Sequence, residues 1–187
     1  MQKALFLDRD GVINVNHGYV YEADNFDWVE GIFALIKRAK AADYLVIVVT
    51  NQSGIGRGMY SEADFKDLTA WMCAEIEQRG GKIDDVFYCP HHPSAGQGEY
   101  LRDCDCRKPK SGMLTNAAKK WDISLAQSIM VGDKLIDMKC AANASLRHAF
   151  LLNTESEASS NAHGGLQKHN HCFTQIRALN EINFSNI

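Results

Sequence analysis

The apolar positions fall into two alternating periods along the chain. Ala4-Leu5-Phe6-Leu7 is an unbroken apolar run and predicts a buried strand. Tyr44-Leu45-Val46-Ile47-Val48-Val49 is β-branched and almost continuously apolar, as a strand covered on both faces should be. The runs 83–88, 128–131 and 148–152 read as further strands, the last of them closing the sheet. Between them the period becomes helical. Ile32, Leu35, Ile36 and Ala39 share one face of 31–42, with Lys37, Arg38 and Lys40 opposite. Ser61 is placed to cap a second helix, with Asp64 favouring its N-terminus. Phe65, Leu68, Met72 and Ile76 form its buried stripe, and Gly80-Gly81 ends it. Leu114, Ala117, Ala118 and Trp121 face inward from 111–121, and 138–144 is a small-residue helix. Strands alternating with helices predict an α/β chain.

Three of these strands run directly into polar clusters, at the edge where open α/β sheets hold ligands. After the first come Asp8, Arg9, Asp10 and Gly11. In extended backbone the two carboxylates point the same way. One can attack as a nucleophile while the other handles a proton. Asn16, His17, Gly18 and Tyr19, just beyond, read as a short substrate-contacting loop. The second strand ends in Thr50-Asn51-Gln52-Ser53-Gly54. A hydroxyl and two amides can hold phosphate oxygens without adding charge. Gly54 to Met59 then reads as a mobile glycine loop, in which Arg57 is the sole charge and is placed to reach a second anionic group. The strand at 128–131 ends in Gly132, Asp133 and Lys134. Oxygens from Asp8, Asp10 and Asp133, with water and phosphate, suit Mg²⁺. Asp137, one helical turn on, is placed to steady a metal-bound water or the Lys108 ammonium.

The cysteines bring in a second metal. Of six, three stand in one loop beside a histidine: Cys89-x-His91, a long insertion, then Cys104-x-Cys106. Three thiolates and an imidazole make a closed tetrahedral Zn²⁺ shell, the composition of structural sites. His91 rather than His92 is the expected ligand on spacing. Residues 89–106 hold little apolar material, so a metal would supply order that a core cannot. Arg107-Lys108-Pro109 follow the last ligand, so a metal that fixes Cys106 also aims two cations. Lys108 would offset charge on a transferring phosphoryl group. Cys73, in the second helix, reads as an inert buried thiol.

Composition narrows the partners. The chain has 187 residues, 45% hydrophobic and 23% charged, with a net charge of −3. That suits a single domain over 1–187 with one insertion. No basic stripe is present, so nucleic acid is not an expected partner. No stretch is long and apolar enough for a membrane span, and Met1-Gln2-Lys3 leads straight into the first strand, so a cytoplasmic protein is expected. The segment 153–187 reads as a polar tail, with a loose connection over 153–171. His163, His169, His171 and Cys172 are too irregularly spaced for a metal site, and Ile176, Leu179 and Ile182 allow a terminal helical turn or two.

The set D-R-D-G, T-N-Q-S-G, C-R-K-P and G-D-x-x-x-D, in that order, strongly resembles the haloacid dehalogenase-like phosphatases over residues 3–145. The cysteine loop is similar to that of a small, nearly capless branch, the heptose-bisphosphate and histidinol phosphatases. The resemblance implies a Rossmann-like parallel sheet with helices on both faces. It implies Asp8 as nucleophile, Asp10 as proton donor and then base, and Thr50 and Lys108 as stabilisers of the phosphoryl group. It implies Mg²⁺ on Asp8, the Asp10 carbonyl and Asp133, and Zn²⁺ on Cys89, His91, Cys104 and Cys106. Arg107, Lys134 and the segments 16–19 and 51–53 would contact a small phosphorylated sugar. The implied reaction is hydrolysis of the 7-phosphate of a heptose 1,7-bisphosphate by a monomer, on the way to ADP-heptose and lipopolysaccharide. Histidinol phosphate is the rival substrate. A zinc-stapled binding protein without chemistry is the reading from another class. Two departures stand out: Val12 where the superfamily often has Thr, and 144–148 where the family usually has a glycine turn.

Overall fold

A computed structural model describes residues 1–153 and 173–187. Six strands form one sheet: β1 (Lys3–Leu7), β2 (Tyr44–Asn51), β3 (Asp85–Cys89), β4 (Ile129–Gly132), β5 (His148–Leu152) and β6 (Phe173–Ile176). Their order is β3-β2-β1-β4-β5-β6, and every pairing is parallel. Parallel neighbours need crossovers, and from β1 to β5 helices supply them. These are α1 (Ile32–Ala41), α2 (Ser53–Gly56), α3 (Glu62–Gln78), α4 (Gly112–Trp121) and α5 (Leu135–Asn143). The sheet is covered on both faces, which is why β1 and β2 read as solid apolar runs.

Alternation along the strands splits the core in two. Leu5, Leu7, Val46, Val48, Ile129 and Val131 pack with Ile32, Leu35, Leu68 and Met72 of α1 and α3. Ala4, Phe6, Ile47, Val49 and Met130 pack with Met113, Leu114, Ala117 and Met138 of α4 and α5. Leu7 pairs with Val48 on one side and Val131 on the other, and β2 continues three residues further, to Asn51, alongside the turn that follows β1. Chain direction across the sheet reverses between β1 and β4, where such sheets open a crevice. Gly31, at φ +85°, starts α1, and Ser61 closes a capping box with Asp64 at the start of α3.

Three sequence expectations change here. The strand at 148–152 is not the last: β6 adds to it in parallel, pairing Leu152 with Ile176. The chain after 172 is docked, and Leu179–Glu181 and Phe184–Asn186 form the expected terminal helical turns. Leu179 and Ile182 are buried against α1, where Arg38 donates to the carbonyls of Ile182 (2.7 Å) and Leu179 (2.9 Å). A few well-spaced apolar residues and one guanidinium dock a segment whose composition is otherwise polar. The residues His163, His169, His171 and Cys172 lie outside the described residues. Second, the glycine loop begins as the helical turn α2, because Gly56 sits against the cysteine loop: a Cβ there would come 2.5 Å from the Pro90 carbonyl oxygen. Third, α5 starts at Leu135 rather than 138. Gly132 makes that early start possible, since a Cβ there would lie 2.2 Å from the Asp137 Cβ.

Candidate active site

The neighbouring carboxyl ends of β1, β2 and β4 bring their polar clusters together. The Asp8 N–H donates to the Val131 carbonyl at 3.0 Å, continuing the β1–β4 ladder by one residue. This sets the Asp8 carboxylate beside Asp133, which follows β4. Gly11 turns the chain away at φ +92°, and any Cβ there would strike Asp133 Oδ2 at 2.3 Å. Thr50 closes on the group from β2, and Lys108 enters from the far side of the cysteine loop.

Asp8 is buried. Its Oδ1 accepts the Arg9 N–H at 2.8 Å, and its Oδ2 lies 2.8 Å from Lys108 Nζ. Lys108 Nζ also stands 2.7 Å from Asp137 Oδ1 and donates to the Val49 carbonyl at 3.0 Å. Asp137 is held in turn by the Lys134 N–H at 3.1 Å. Of the two roles the sequence allows Asp137, contact with the Lys108 ammonium is the one seen. Burial raises the Asp8 carboxyl to about 6 against the pull of Lys108. Burial opposes the Lys108 charge, but Asp8 and Asp137 outweigh it and hold that pKa above the usual lysine range. Burial, then the nearby Asp8 charge, also raises Asp133.

Three carboxylates, Asp8, Asp133 and Asp137, present oxygens within 4.8 Å of one another. Asp133 Oδ1 is buried and has no hydrogen-bond partner. A hard cation fits this group: the oxygens are hard donors, negative charge is in surplus, and one oxygen lacks any other use. Asp8 and Asp137 share Lys108, and Asp133 Oδ2 lies 3.2 Å from Lys134 Nζ, so Asp133 Oδ1 is the oxygen that most plainly awaits a cation. The Asp10 side chain is not part of the group. Its Oδ1 accepts from Arg9 Nη2 at 2.7 Å and Asn14 Nδ2 at 3.1 Å, and its Oδ2 from Gln52 Nε2 at 3.0 Å. Only its backbone carbonyl is left as a ligand.

The second cluster is closed. The sulfurs of Cys89, Cys104 and Cys106 lie 2.8–3.4 Å apart, and His91 Nδ1 is 3.3 Å from Cys106 Sγ and 3.7 Å from Cys89 Sγ. His92 faces elsewhere and accepts the Ala95 N–H at 3.0 Å. The cluster joins the end of β3 to the residues just before Lys108. Hydrogen bonds from the neighbouring thiols, Cys89 first, pull Cys106 below the usual thiol range. Three sulfurs and one imidazole nitrogen converging on a single point fit Zn²⁺.

The cleft above Asp8 is lined by Asp10, Thr50, Lys108, Asn16, Gly18, Tyr19, Asn51, Gln52, Ser53 and Lys134, together with Gly54, Tyr60 and Ile136. His17, Arg57 and Arg107 are not brought to it. His17 pairs with Asp27 at 2.7 Å on the surface, and Arg107 donates to the His91 carbonyl at 3.0 Å. The Arg57 carbonyl accepts from Gln97 Nε2 at 3.2 Å, which ties that residue to the cysteine loop. Asn51 lines the cleft, but its amide is spent on the Lys108 backbone: Nδ2 donates to Lys108 O at 3.2 Å and Oδ1 accepts Lys108 N–H at 3.0 Å. Sequence reasoning missed Arg9, Asn14 and Tyr60. An arginine set between two candidate catalytic carboxylates, Asp8 and Asp10, was the available signal for the first.

The HAD-hydrolase-like family model matches residues 105–179. With a parallel sheet carrying Asp8, Thr50, Lys108 and Asp133 at its carboxyl edge, this defines the class as haloacid dehalogenase-like. The chain is 46% identical over 164 residues to the D-glycero-beta-D-manno-heptose-1,7-bisphosphate 7-phosphatase of Haemophilus influenzae, covering 88% of this chain and 89% of that one. It is 49% identical over 154 residues to the protein of the same name from Pasteurella multocida, covering 82% and 83%. Among solved structures it is similar to D,D-heptose 1.7-bisphosphate phosphatase from B. bronchiseptica complexed with magnesium and phosphate, with a TM-score of 0.78, 34% identity, and 95% and 93% of the two chains covered. The chain belongs to this phosphatase family of haloacid dehalogenase-like enzymes. Among the described residues no helix is long and apolar enough to cross a membrane.

Proposed function

We propose that the chain hydrolyses the 7-phosphate of D-glycero-beta-D-manno-heptose 1,7-bisphosphate through a phosphoryl group carried on Asp8. The observation that carries this reading is the buried Asp8 carboxylate, 2.8 Å from Lys108 and grouped with Asp133 at the sheet edge. Asp8 attacks phosphorus, and the bond to the C7 oxygen breaks. Asp10 gives that oxygen its proton and then takes one from the water that attacks the aspartyl-phosphate, freeing inorganic phosphate. Thr50 and Lys108 donate to the phosphoryl oxygens as charge builds on them. Asp8, Asp133 and the Asp10 carbonyl would hold Mg²⁺, whose charge offsets that of the phosphoryl group and fixes its orientation when bound.

Cys89, His91, Cys104 and Cys106 would hold Zn²⁺, ordering the chain that delivers Lys108. Asn16, Gly18, Tyr19, Ser53 and Lys134 would meet the sugar and its second phosphate, whereas the Gln52 amide is spent on Asp10, Thr50 and Tyr60. Asn51 serves Lys108 instead. The reading places the enzyme in the cytoplasm, as a monomer supplying ADP-heptose formation. Support comes from relatives whose names carry this activity across more than four fifths of both chains. The test is kcat/KM on heptose 1,7-bisphosphate and on histidinol phosphate, side by side. The bisphosphate should be preferred by about 100-fold or more, as expected when a site built for polar groups meets a substrate lacking them. Equal or reversed preference would contradict the assignment.

A further inference from the structure

Behind Asp10 runs a chain of buried polar groups that the chemistry above leaves unused. The Gln52 amide donates to Asp10 Oδ2 at 3.0 Å and to Thr50 Oγ1 at 2.8 Å. Its own oxygen accepts the Tyr60 hydroxyl at 2.5 Å. Gln52 and Tyr60 are both buried. An amide has two orientations that exchange its oxygen and nitrogen. A donor at Tyr60 selects the one that turns N–H toward Asp10, because the other would set the amide oxygen against a carboxylate.

Tyr60 is built to remain that donor. Burial pushes its phenol up to about 12, so it keeps its proton. Its ring stacks on Tyr21, with centroids 5.3 Å apart and planes 13° apart. Space for it comes from Gly54, where a Cβ would lie 2.2 Å from Tyr60 Cε1 and 2.9 Å from Tyr19 Cδ1. Arg9 Nη2 donates to both Asp10 oxygens, at 2.7 and 3.0 Å, and Asn14 to Oδ1, so Gln52 is the amide that holds Oδ2 from the opposite side.

We infer that Tyr60 is a positioning residue that, acting through Gln52, aims the Asp10 carboxyl at the departing sugar oxygen. This rests on the phosphatase reading above and adds a residue that touches no reacting atom. A sugar alkoxide is a poor leaving group and must receive a proton as its bond to phosphorus breaks. A nitrophenolate leaves without one.

The test is Tyr60→Phe, which keeps the ring and its stacking and removes only the hydroxyl. Release of the leaving group in the first turnover is followed by rapid quench for heptose 1,7-bisphosphate and for p-nitrophenyl phosphate. Sugar release should slow by about 10- to 100-fold while nitrophenol release changes by less than about 3-fold. In a Gln52→Leu background the same change should add less than about 2-fold, since the path is already cut. Equal slowing of both esters, or unchanged sugar release, overturns the role of Tyr60. A wild type that releases nothing from either ester contradicts the phosphatase reading instead. If the wild type hydrolyses a different alkyl phosphate, that ester replaces the heptose in the comparison.

Discussion

The ammonium of Lys108 lies 2.8 Å from Asp8 Oδ2, and neither group is exposed to solvent. The two residues are a hundred positions apart in sequence, one at the end of β1 and one just past a loop with almost no core. Their contact depends on whatever fixes that loop. Cys106 stands two residues before Lys108, and its cluster with Cys89 and His91 ties the approach to the end of β3.

Replacement of Asp8 by Asn should leave the fold intact and lower phosphate release by at least about 10³-fold, the scale on which loss of a nucleophile is felt. The circular dichroism spectrum and steady-state phosphate release check both parts. Turnover near the wild-type rate would exclude Asp8 as the attacking group.

Mg²⁺-free protein should become less stable as pH rises. Burial lifts the folded pKa of Asp8 from 3.8 to about 6, so the folded state binds this proton more tightly than the unfolded chain does. That contribution is complete below the ordinary carboxylate range and is lost as pH climbs through about 6. Melting temperature of the zinc-loaded protein without added Mg²⁺ or chelator should therefore fall between about pH 5 and pH 7, and Mg²⁺ should restore it more at the higher pH. Asp8→Asn should show a flatter profile. A wild-type profile as flat as that of the variant would contradict the burial argument.

Cys106→Ala should lose close to one equivalent of zinc by elemental analysis. It should also lose much of its activity, because Lys108 then hangs from an unanchored loop. A zinc-free variant with full turnover would show that the cluster does not position Lys108.

Asn51→Ala removes both bonds that clamp the Lys108 backbone. Buried hydrogen bonds of this kind are worth about 1–3 kcal/mol when one side is left unpaired. The loss should appear mainly in kcat, by about 10-fold, with KM little changed, if Asn51 holds Lys108 rather than substrate. A rise in KM at constant kcat would return Asn51 to direct substrate binding.

Arg38→Ala tests the docked C-terminal segment away from the chemistry. Loss of the two carbonyl bonds to Leu179 and Ile182 should destabilise the protein by about 1–3 kcal/mol in urea melts, with activity retained. An unchanged midpoint would mean that the apolar contacts of Leu179 and Ile182 suffice.

These tests follow a boundary between what the sequence displays and what it conceals. Asp8, Thr50, Lys108 and Asp133 each follow an apolar run or a metal-like cysteine spacing, so a local pattern announces them. The stripe Ile32, Leu35, Ile36 and Ala39 is equally plain, and all four side chains are buried. Asn51 looks like any amide in a phosphate-binding turn, and its tie to residue 108 exists only once β2 and the cysteine loop meet. Tyr60 precedes the Ser61 cap in what reads as a linker, and its reach to Gln52 depends on the space left by Gly54. β6 is four residues long with only its ends apolar, so pairing with β5 decides it rather than intrinsic pattern. Charge alone points to Arg57 and Arg107 as phosphate contacts; in the fold the Arg57 carbonyl accepts from Gln97, the Arg107 guanidinium donates to the His91 carbonyl, and neither residue lines the cleft.

The central claim is that Asp8 carries the phosphoryl group. Rapid acid quench of the enzyme during turnover of heptose 1,7-bisphosphate with Mg²⁺, followed by peptide mass analysis, reads this directly. The account predicts one phosphoryl group on the peptide containing Asp8, absent from Asp8→Asn. Phosphate found on another residue, or brisk turnover by Asp8→Asn, would contradict it.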